Sequence, residues 1–325
     1  MVKCTGRTVP APHSPNPCPR SPPRPTLQSR HTMPAAVEVR NLNKRYRSGT
    51  WANRDITLTV ERGELLAILG PNGAGKTTLV RQITTELLPT SGEVRVFGLD
   101  AVSRPNDAKA RMGVIPQETN FYFGLSVRHH FRILGKLRGL PPSTASSRAA
   151  QLVSDLGLDE HQDKPAEHLS GGLRRRLLVG IAMLAEPPLL VLDEPSVGLD
   201  PESRRDLWDL LRDYRRRGAT VLLTTHSMEE AEALSDRVGI IHDGALLALD
   251  TIANLRAAHG FDFKITYLAD GRTRVLYGAS DTELLQQVQS LGIREYAVSR
   301  TTLEDVYLGL TDGKGRLNEE QTADD

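Results

Sequence analysis

A chain of 325 residues with 39% apolar and 25% charged side chains has ordinary globular composition and is long enough for one large domain and a small one. Its net charge of +1 gives no basis for a nucleic-acid binder. No uninterrupted apolar run approaches the roughly 18 residues of a membrane span; the best candidate, Leu177–Ala185, is broken by Glu186, Pro187 and Pro188, so any membrane role must come through a partner.

Residues 1–32 are rich in Pro, Ser and Arg, hold Lys3, Arg7, Arg20, Arg24 and Arg30 without one acid, and leave the remainder of the chain at about −4. Such a leader cannot bury enough apolar surface to offset its ordering entropy, so disorder is expected. Met33, just before the strand-like run Val37–Val39, is a candidate start, which would make the leader an artefact of start assignment; a functional disordered tail is the alternative. A transit peptide fits only loosely, because so many prolines forbid an amphipathic helix. Both cysteines, Cys4 and Cys18, lie in the leader. The folded part therefore has no thiol for a disulfide or a zinc site, which suits a reducing cytosol.

Val37–Arg40 and Asp55–Val60 read as strands around a turn-like segment, Arg47–Asn53. Tyr46, at the head of that segment, is the first choice for a flat face on which a base could stack, with Trp51 second; either could instead pack the strand pair. Next, Glu64–Leu69 reads as a buried strand, Gly70–Thr78 as a loop, and Leu79–Leu88 as a helix. The loop spells Gly70, Pro71, Asn72, Gly73, Ala74, Gly75, Lys76, Thr77, Thr78 and fits G-x-x-x-x-G-K-[ST]. Glycines at these places let successive backbone N–H groups curl around phosphate oxygens. Lys76 would reach the β- and γ-phosphates, Thr77 would supply a Mg²⁺ ligand, and the helix would aim its positive end at the anion. Strand, loop and helix stand in the order that the motif requires.

A turn at Pro89–Gly92, a strand at Glu93–Phe97 and a strand at Met112–Ile115 lead to Gln117, at a strand end where a doubly wound sheet places ligand contacts. From about 119 to 185 helical patterns dominate, over Ser126–Leu137, Ser143–Leu156 and Leu173–Leu184, as expected of a helical insertion in an α/β core. Before the last helix stands Leu169-Ser170-Gly171-Gly172. Ser170, Gly171 and Gly172 at a helix N-terminus make a second anion site, whereas Arg174, Arg175 and Arg176 read as a solvated helix face. Leu189–Glu194 is an apolar strand ending in two carboxylates, whose alternation sends them to opposite sides. Asp193 can then join a Mg²⁺ shell while Glu194 faces the attacking water as polariser or general base. Asp200 precedes a helix to Arg217, and His226 follows the strand Thr220–Thr224, again on the ligand edge.

Together these residues resemble the ATP-binding cassette (ABC) ATPase family, over Val37 to Asp250. The family order of aromatic stacker, phosphate loop, glutamine loop, LSGGQ signature, acidic strand, aspartate loop and switch histidine is met by Tyr46, Gly70–Thr78, Gln117, Leu169–Gly172, Asp193 with Glu194, Asp200 and His226. The resemblance implies an α/β P-loop NTPase core with a helical subdomain, and ATP with Mg²⁺ bound at Thr77, Gln117 and Asp193. It also implies a head-to-tail homodimer in which Ser170, Gly171 and Gly172 of one protomer cover the ATP of the other, with Asp200 crossing the interface. Gln117 would sense Mg²⁺ and water, and His226 would contact the γ-phosphate. Leu173 departs from the family, which has glutamine there; the amides and Ser170 remain, so closure is expected to survive.

Beyond this core, Phe261–Tyr267, Thr273–Tyr277, Thr282–Leu291, Arg294–Arg300 and Leu303–Leu310 read strand, strand, helix, strand, helix, a small C-terminal α+β appendage. Its end, Thr302-Leu303-Glu304-Asp305-Val306-Tyr307-Leu308, resembles exporter ATPases of the daunorubicin-resistance type, whose membrane subunit is a separate protein. The expected organisation is a leader (1–32), an ATP-binding domain (33–255), the appendage (256–311) and a frayed polar tail (312–325). The implied function is the ATPase subunit of an exporter of a drug, lipid or polysaccharide, peripheral on the inner face of the cell membrane and docked on a permease, without nucleic acid. An importer ATPase and a soluble non-transport ABC protein are the alternatives.

Overall fold

Hairpin chemistry begins the fold. β1 (Val37–Arg45) and β2 (Trp51–Val60) pair antiparallel and bury the alternating Val37, Val39, Ile56, Leu58 and Val60. The turn between them is tighter than expected, since Tyr46 N–H already donates to the Thr50 carbonyl and Trp51–Asn53 lies within β2. This computed structural model describes Met1 and residues 33–117, 121–269 and 271–311; the leader beyond Met1 and the polar tail, on which expectations were placed, lie outside the described residues.

β3 (Leu65–Leu69) is buried at all five positions, as a central parallel strand must be. The glycine loop follows, then α1 (Lys76–Ile83), which stops five residues short of the expected Leu88 because Thr85 turns left-handed at φ 64°. β4 (Ser91–Val96) and β5 (Leu99–Asp100) complete a four-stranded antiparallel sheet in the order β2-β1-β4-β5. After α2 (Pro105–Lys109) comes β6 (Met112–Ile115). The insertion holds α3 (Val127–Leu137), α4 (Pro142–Asp155) and α5 (Gly171–Met183), with Ser126 and Ser170 as N-caps of the first and third. Fully buried Phe131 lies at its centre, a burial that contributes about 2–3 kcal/mol.

The main sheet then closes with β7 (Leu189–Asp193), α6 (Pro201–Arg216), β8 (Thr220–Thr225), α7 (Met228–Leu234), β9 (Arg237–His242) and β10 (Ala245–Asp250). Its order is β10-β9-β3-β8-β7-β6, parallel except where β10 returns along β9. Parallel pairing puts the C-terminal ends of β3, β6, β7 and β8 along one edge. Gly70, Gln117, Glu194 and His226 stand just beyond these four ends.

α8 (Ile252–His259) leads to β11 (Phe263–Ala269), β12 (Arg272–Gly278), α9 (Asp281–Ser290), β13 (Tyr296–Arg300) and α10 (Leu303–Thr311). The three strands order as β12-β11-β13 over a small core of Ile265, Tyr267, Leu284 and Val288. The last helix touches both parts: Leu303 and Val306 belong to the same buried cluster as Leu207, Ala231 and Leu255. Asp305, in the Thr302–Leu308 motif, accepts hydrogen bonds from Lys264 Nζ (2.9 Å), Tyr277 OH (2.9 Å), Thr302 N (2.7 Å) and Thr302 Oγ1 (2.8 Å). Burial pushes its carboxyl up, and these bonds outweigh the burial and hold it below the usual carboxylate range. Among the described residues no helix is long and apolar enough to cross a membrane.

Candidate functional site

The glycine loop owes its shape to neighbours as much as to any ligand. A Cβ on Gly70 would stand 2.2 Å from the Ile241 carbonyl oxygen, and one on Gly75 would stand 2.1 Å from that of Ala52. Gly73, at φ 83°, has open space where its Cβ would be, so its need is conformational, on the side a phosphate would approach. Asn53, fully buried on β2, braces the loop: its Nδ2 donates to the Gly75 carbonyl (3.1 Å) and its Oδ1 accepts from Gln82 Nε2 (2.7 Å). Nothing in the local pattern marked Asn53, which fell in the expected turn.

The loop opens into a cleft of about 360 Å³ lined by Tyr46, Thr50, Trp51, Ala52, Asn72, Gly73, Gly75, Lys76, Thr77, Thr78, Gln117 and Glu194. Both candidate stackers therefore share one cavity with the phosphate loop. Tyr46 OH lies 3.2 Å from Thr78 Oγ1. Thr77 Oγ1 donates to Gln117 Oε1 at 3.5 Å, which brings together two of the three proposed Mg²⁺ ligands. Lys76 Nζ donates to the carbonyls of Gly70 (2.8 Å) and Pro71 (3.1 Å) and pairs with Glu194 Oε1 at 3.1 Å, both side chains being about 95% buried. Glu194 Oε2 accepts from His226 Nδ1 at 2.6 Å. Glu194 is thus gripped by a lysine and a histidine at the head of the cleft.

The two carboxylates are separated by a device other than strand alternation. Asp193 ends β7 and accepts from the Thr224 hydroxyl, behind the cleft rather than on its wall. Glu194 lies one residue past the strand at φ 51°, a left-handed conformation that swings its side chain into the cleft. Its N–H donates to Thr224 O and Thr224 Oγ1, both at 3.1 Å.

Ser170, Gly171, Gly172 and Asp200 do not line this cleft. They form a second cluster, in which Ser170 Oγ caps α5 by accepting from Leu173 N (3.3 Å) and Asp200 Oδ1 caps α6 by accepting from Ser203 N (2.9 Å). A Cβ on Gly172 would lie 2.3 Å from Ser203 Oγ, so the two helix starts pack directly together. The Ser203 N–H and hydroxyl hold the Asp200 carboxyl below its ordinary range. Ser170 and Gly171 are exposed. Leu173 is half-buried against the main core, which accounts for an apolar side chain at that place.

Residues 53–197 match the sequence pattern of the family described as ABC transporter. The daunorubicin/doxorubicin resistance ATP-binding protein DrrA of Streptomyces peucetius is 34% identical over 311 residues, covering 86% of this chain and 94% of that protein. The chain belongs to the ABC transporter family. The Nod factor export ATP-binding protein I of Ralstonia nicotianae is 39% identical to this ABC protein over 212 residues, 65% of this chain and 66% of the relative. A solved ATP binding subunit of an ABC transporter superposes with a TM-score of 0.64 at 29% identity, covering 78% of this chain and all of the other.

The arginines after the signature glycines are not the solvated face expected of them. Arg174 donates from Nε to the Leu169 carbonyl (2.8 Å) and from Nη2 to that of Glu167 (3.0 Å), and lies over the Phe121 ring. Arg176 pairs with Asp206 on α6. Arg175 turns inward to the strand end that carries Asp193 and Glu194. A helix face is legible from a sequence; that a distant strand end supplies carbonyls to an arginine is not.

Proposed function

We propose that this protein is the ATP-hydrolysing subunit of an ABC exporter, acting as a head-to-tail pair on a separate membrane permease at the inner face of the membrane. The observation that carries the reading is the cleft itself, where the phosphate loop, Gln117 and a buried Lys76–Glu194–His226 array converge beyond the ends of parallel strands. Relatives named for drug resistance and for export favour the exporter reading, and the proposed cargo is a drug, lipid or polysaccharide.

In this reading the adenine stacks on Tyr46 or Trp51, and the loop amides from Asn72 to Thr77 take the phosphates. Lys76 leaves Glu194 for the β- and γ-phosphates. Glu194, held at the head of the cleft, polarises the attacking water as general base, and His226 fixes its carboxylate and meets the γ-phosphate. The oxygen donors Thr77 and Gln117, on the cleft wall, would hold Mg²⁺, which offsets the phosphate charge; Asp193, engaged by Thr224 and not lining the cleft, would join its shell only by giving up that contact. Among the described residues no cluster of three or more His, Cys, Asp or Glu forms a cation cage. Mg²⁺ needs none, because it is commonly held by few protein ligands together with substrate phosphates. Exposed Ser170 and Gly171, with Asp200 and buried Gly172 beside them, complete the partner protomer's site.

The test is Glu194→Gln. Hydrolysis is expected to fall at least about a hundredfold, and light scattering is expected to show a shift from monomer to dimer on adding Mg-ATP. Turnover within a few-fold of the parent would remove Glu194 from the role of base.

A further inference from the structure

Arg175 lies on α5 just beyond the signature glycines and is half-buried. Nε–H donates to the carbonyl of Pro195, and Nη2 donates to those of Glu194 (2.8 Å) and Asp193 (3.4 Å). Three successive main-chain carbonyls thus converge on one planar cation, a geometry that a forked donor matches and an ammonium does not. Burial draws down the guanidinium's hold on its proton, and the carboxylates of Glu230, Asp193 and Glu194 oppose that effect.

The peptide held in this way is strained. Glu194 sits at φ 51° without being glycine, which costs on the order of 1–2 kcal/mol, and such residues persist only where their surroundings over-determine them. Two groups do so here. Thr224 takes the Glu194 N–H from one side, and Arg175 takes its carbonyl from the other. With the main chain gripped at both ends, the carboxylate is left to face Lys76 and His226.

We propose that Arg175 is a positioning residue for Glu194: from the signature helix it fixes the strained peptide that aims the carboxylate into the cleft. The inference rests on Glu194 being the base. Because Ser170–Gly172 and Arg175 share one helix, any displacement of α5 by what binds its N-terminus is felt at the Glu194 peptide. Removal of Arg175 then lowers turnover and leaves nucleotide affinity in place.

Arg175→Gln and Arg175→Lys, each alone and combined with Glu194→Gln, test this in the full-length chain through single-turnover hydrolysis, kcat and KM, ATP affinity and thermal midpoint. Arg175→Gln is expected to lower kcat about 10- to 100-fold, the scale of a misplaced catalytic group, with KM and affinity within about threefold. Arg175→Lys keeps the charge without the fork and falls between. Arg175→Gln added to Glu194→Gln changes the residual rate by less than about twofold, because residues acting as one unit are not additive. Parental kcat in Arg175→Gln, a loss confined to KM, or an equal slowing in both backgrounds overturns the proposal. If Arg175→Gln does not fold, Arg175→Lys decides by the same criteria. Normal turnover of Glu194→Gln instead refutes the base assignment, an outcome separate from parental turnover of the Arg175 variants.

Discussion

Lys76 is engaged before any nucleotide arrives, and the Glu194→Gln protein should for that reason bind ATP more tightly than its parent. Nζ lies 3.1 Å from Glu194 Oε1, with side-chain exposures of 5% and 4%. Two unit charges at that separation attract by about 5 kcal/mol at an effective dielectric near 20, an upper bound before desolvation. On ATP binding Lys76 exchanges this carboxylate for phosphate oxygens, and Glu194 is left facing an anion. Glutamine keeps a hydrogen-bond acceptor while removing both the competitor and the repulsion. A net gain of about 1–3 kcal/mol follows, a 5- to 150-fold lower Kd. Calorimetric titration with a non-hydrolysable ATP analogue measures this without interference from turnover. Equal or weaker binding by Glu194→Gln would refute the view that the Lys76–Glu194 pair opposes nucleotide.

Replacing Asp305 by Ala strands the Lys264 cation, only 19% exposed, and removes an acceptor from the Tyr277 hydroxyl. The expected cost is about 3 kcal/mol, a fall of roughly 6 °C or more in thermal midpoint, and an unchanged midpoint would show that the cluster does not hold the C-terminal part in place. His130, fully buried, donates from Nδ1 to the Ser126 carbonyl (3.0 Å) and accepts at Nε2 from the Tyr122 N–H (3.0 Å), and burial lowers its pKa below 6.5 against the opposing pull of Glu167. The unfolded chain then takes the proton first, so stability is lost as pH falls below about 6.5; denaturation midpoints at pH 7.5 and 5.5 should differ less in His130→Gln than in the parent, and equal differences would exclude His130. A Cβ on Gly180 would stand 2.4 Å from Leu156 Cδ1 and 2.8 Å from Phe131 Cζ. Gly180→Ala should therefore destabilise by about 1–2 kcal/mol, overpacking exceeding the gain in helix propensity, and a stabilised variant in denaturant melts would contradict the packing.

Much of the fold was legible where one physical signal dominated. Met112–Ile115 and Leu189–Asp193 are apolar runs buried between helices, and Ser126 and Ser170 announce helices by their hydroxyls. Gly70–Thr78, Gln117, Glu194 and His226 were expected on the ligand edge and do stand beyond strand ends, because motif spacing and strand ends point to the same places. The ends of α1 and the start of β2 were missed, because Thr85 in a left-handed turn and polar Asn53 in a strand are tertiary choices. The hairpin of β9 and β10 was passed over although Asp243-Gly244 stands between two apolar runs, with His242 opposite Ala245 and both turn residues at positive φ. That signal was present in the sequence. The Arg175 contacts were not, since they join a helix to a strand end 20 residues on.

The three loop glycines answer to different masters, and a screen that scores abundance apart from activity would separate them. Gly70 and Gly75 face carbonyl oxygens of β9 and β2, so a side chain at Gly70 pushes the loop off β9, one at Gly75 pushes the start of α1 off β2, and both should deplete the protein itself. Gly73 faces open space, so asparagine, which tolerates a left-handed backbone, should leave the amount of protein intact and strike only at what the loop holds. One nine-residue motif thus carries two kinds of lesion, one of assembly and one of chemistry.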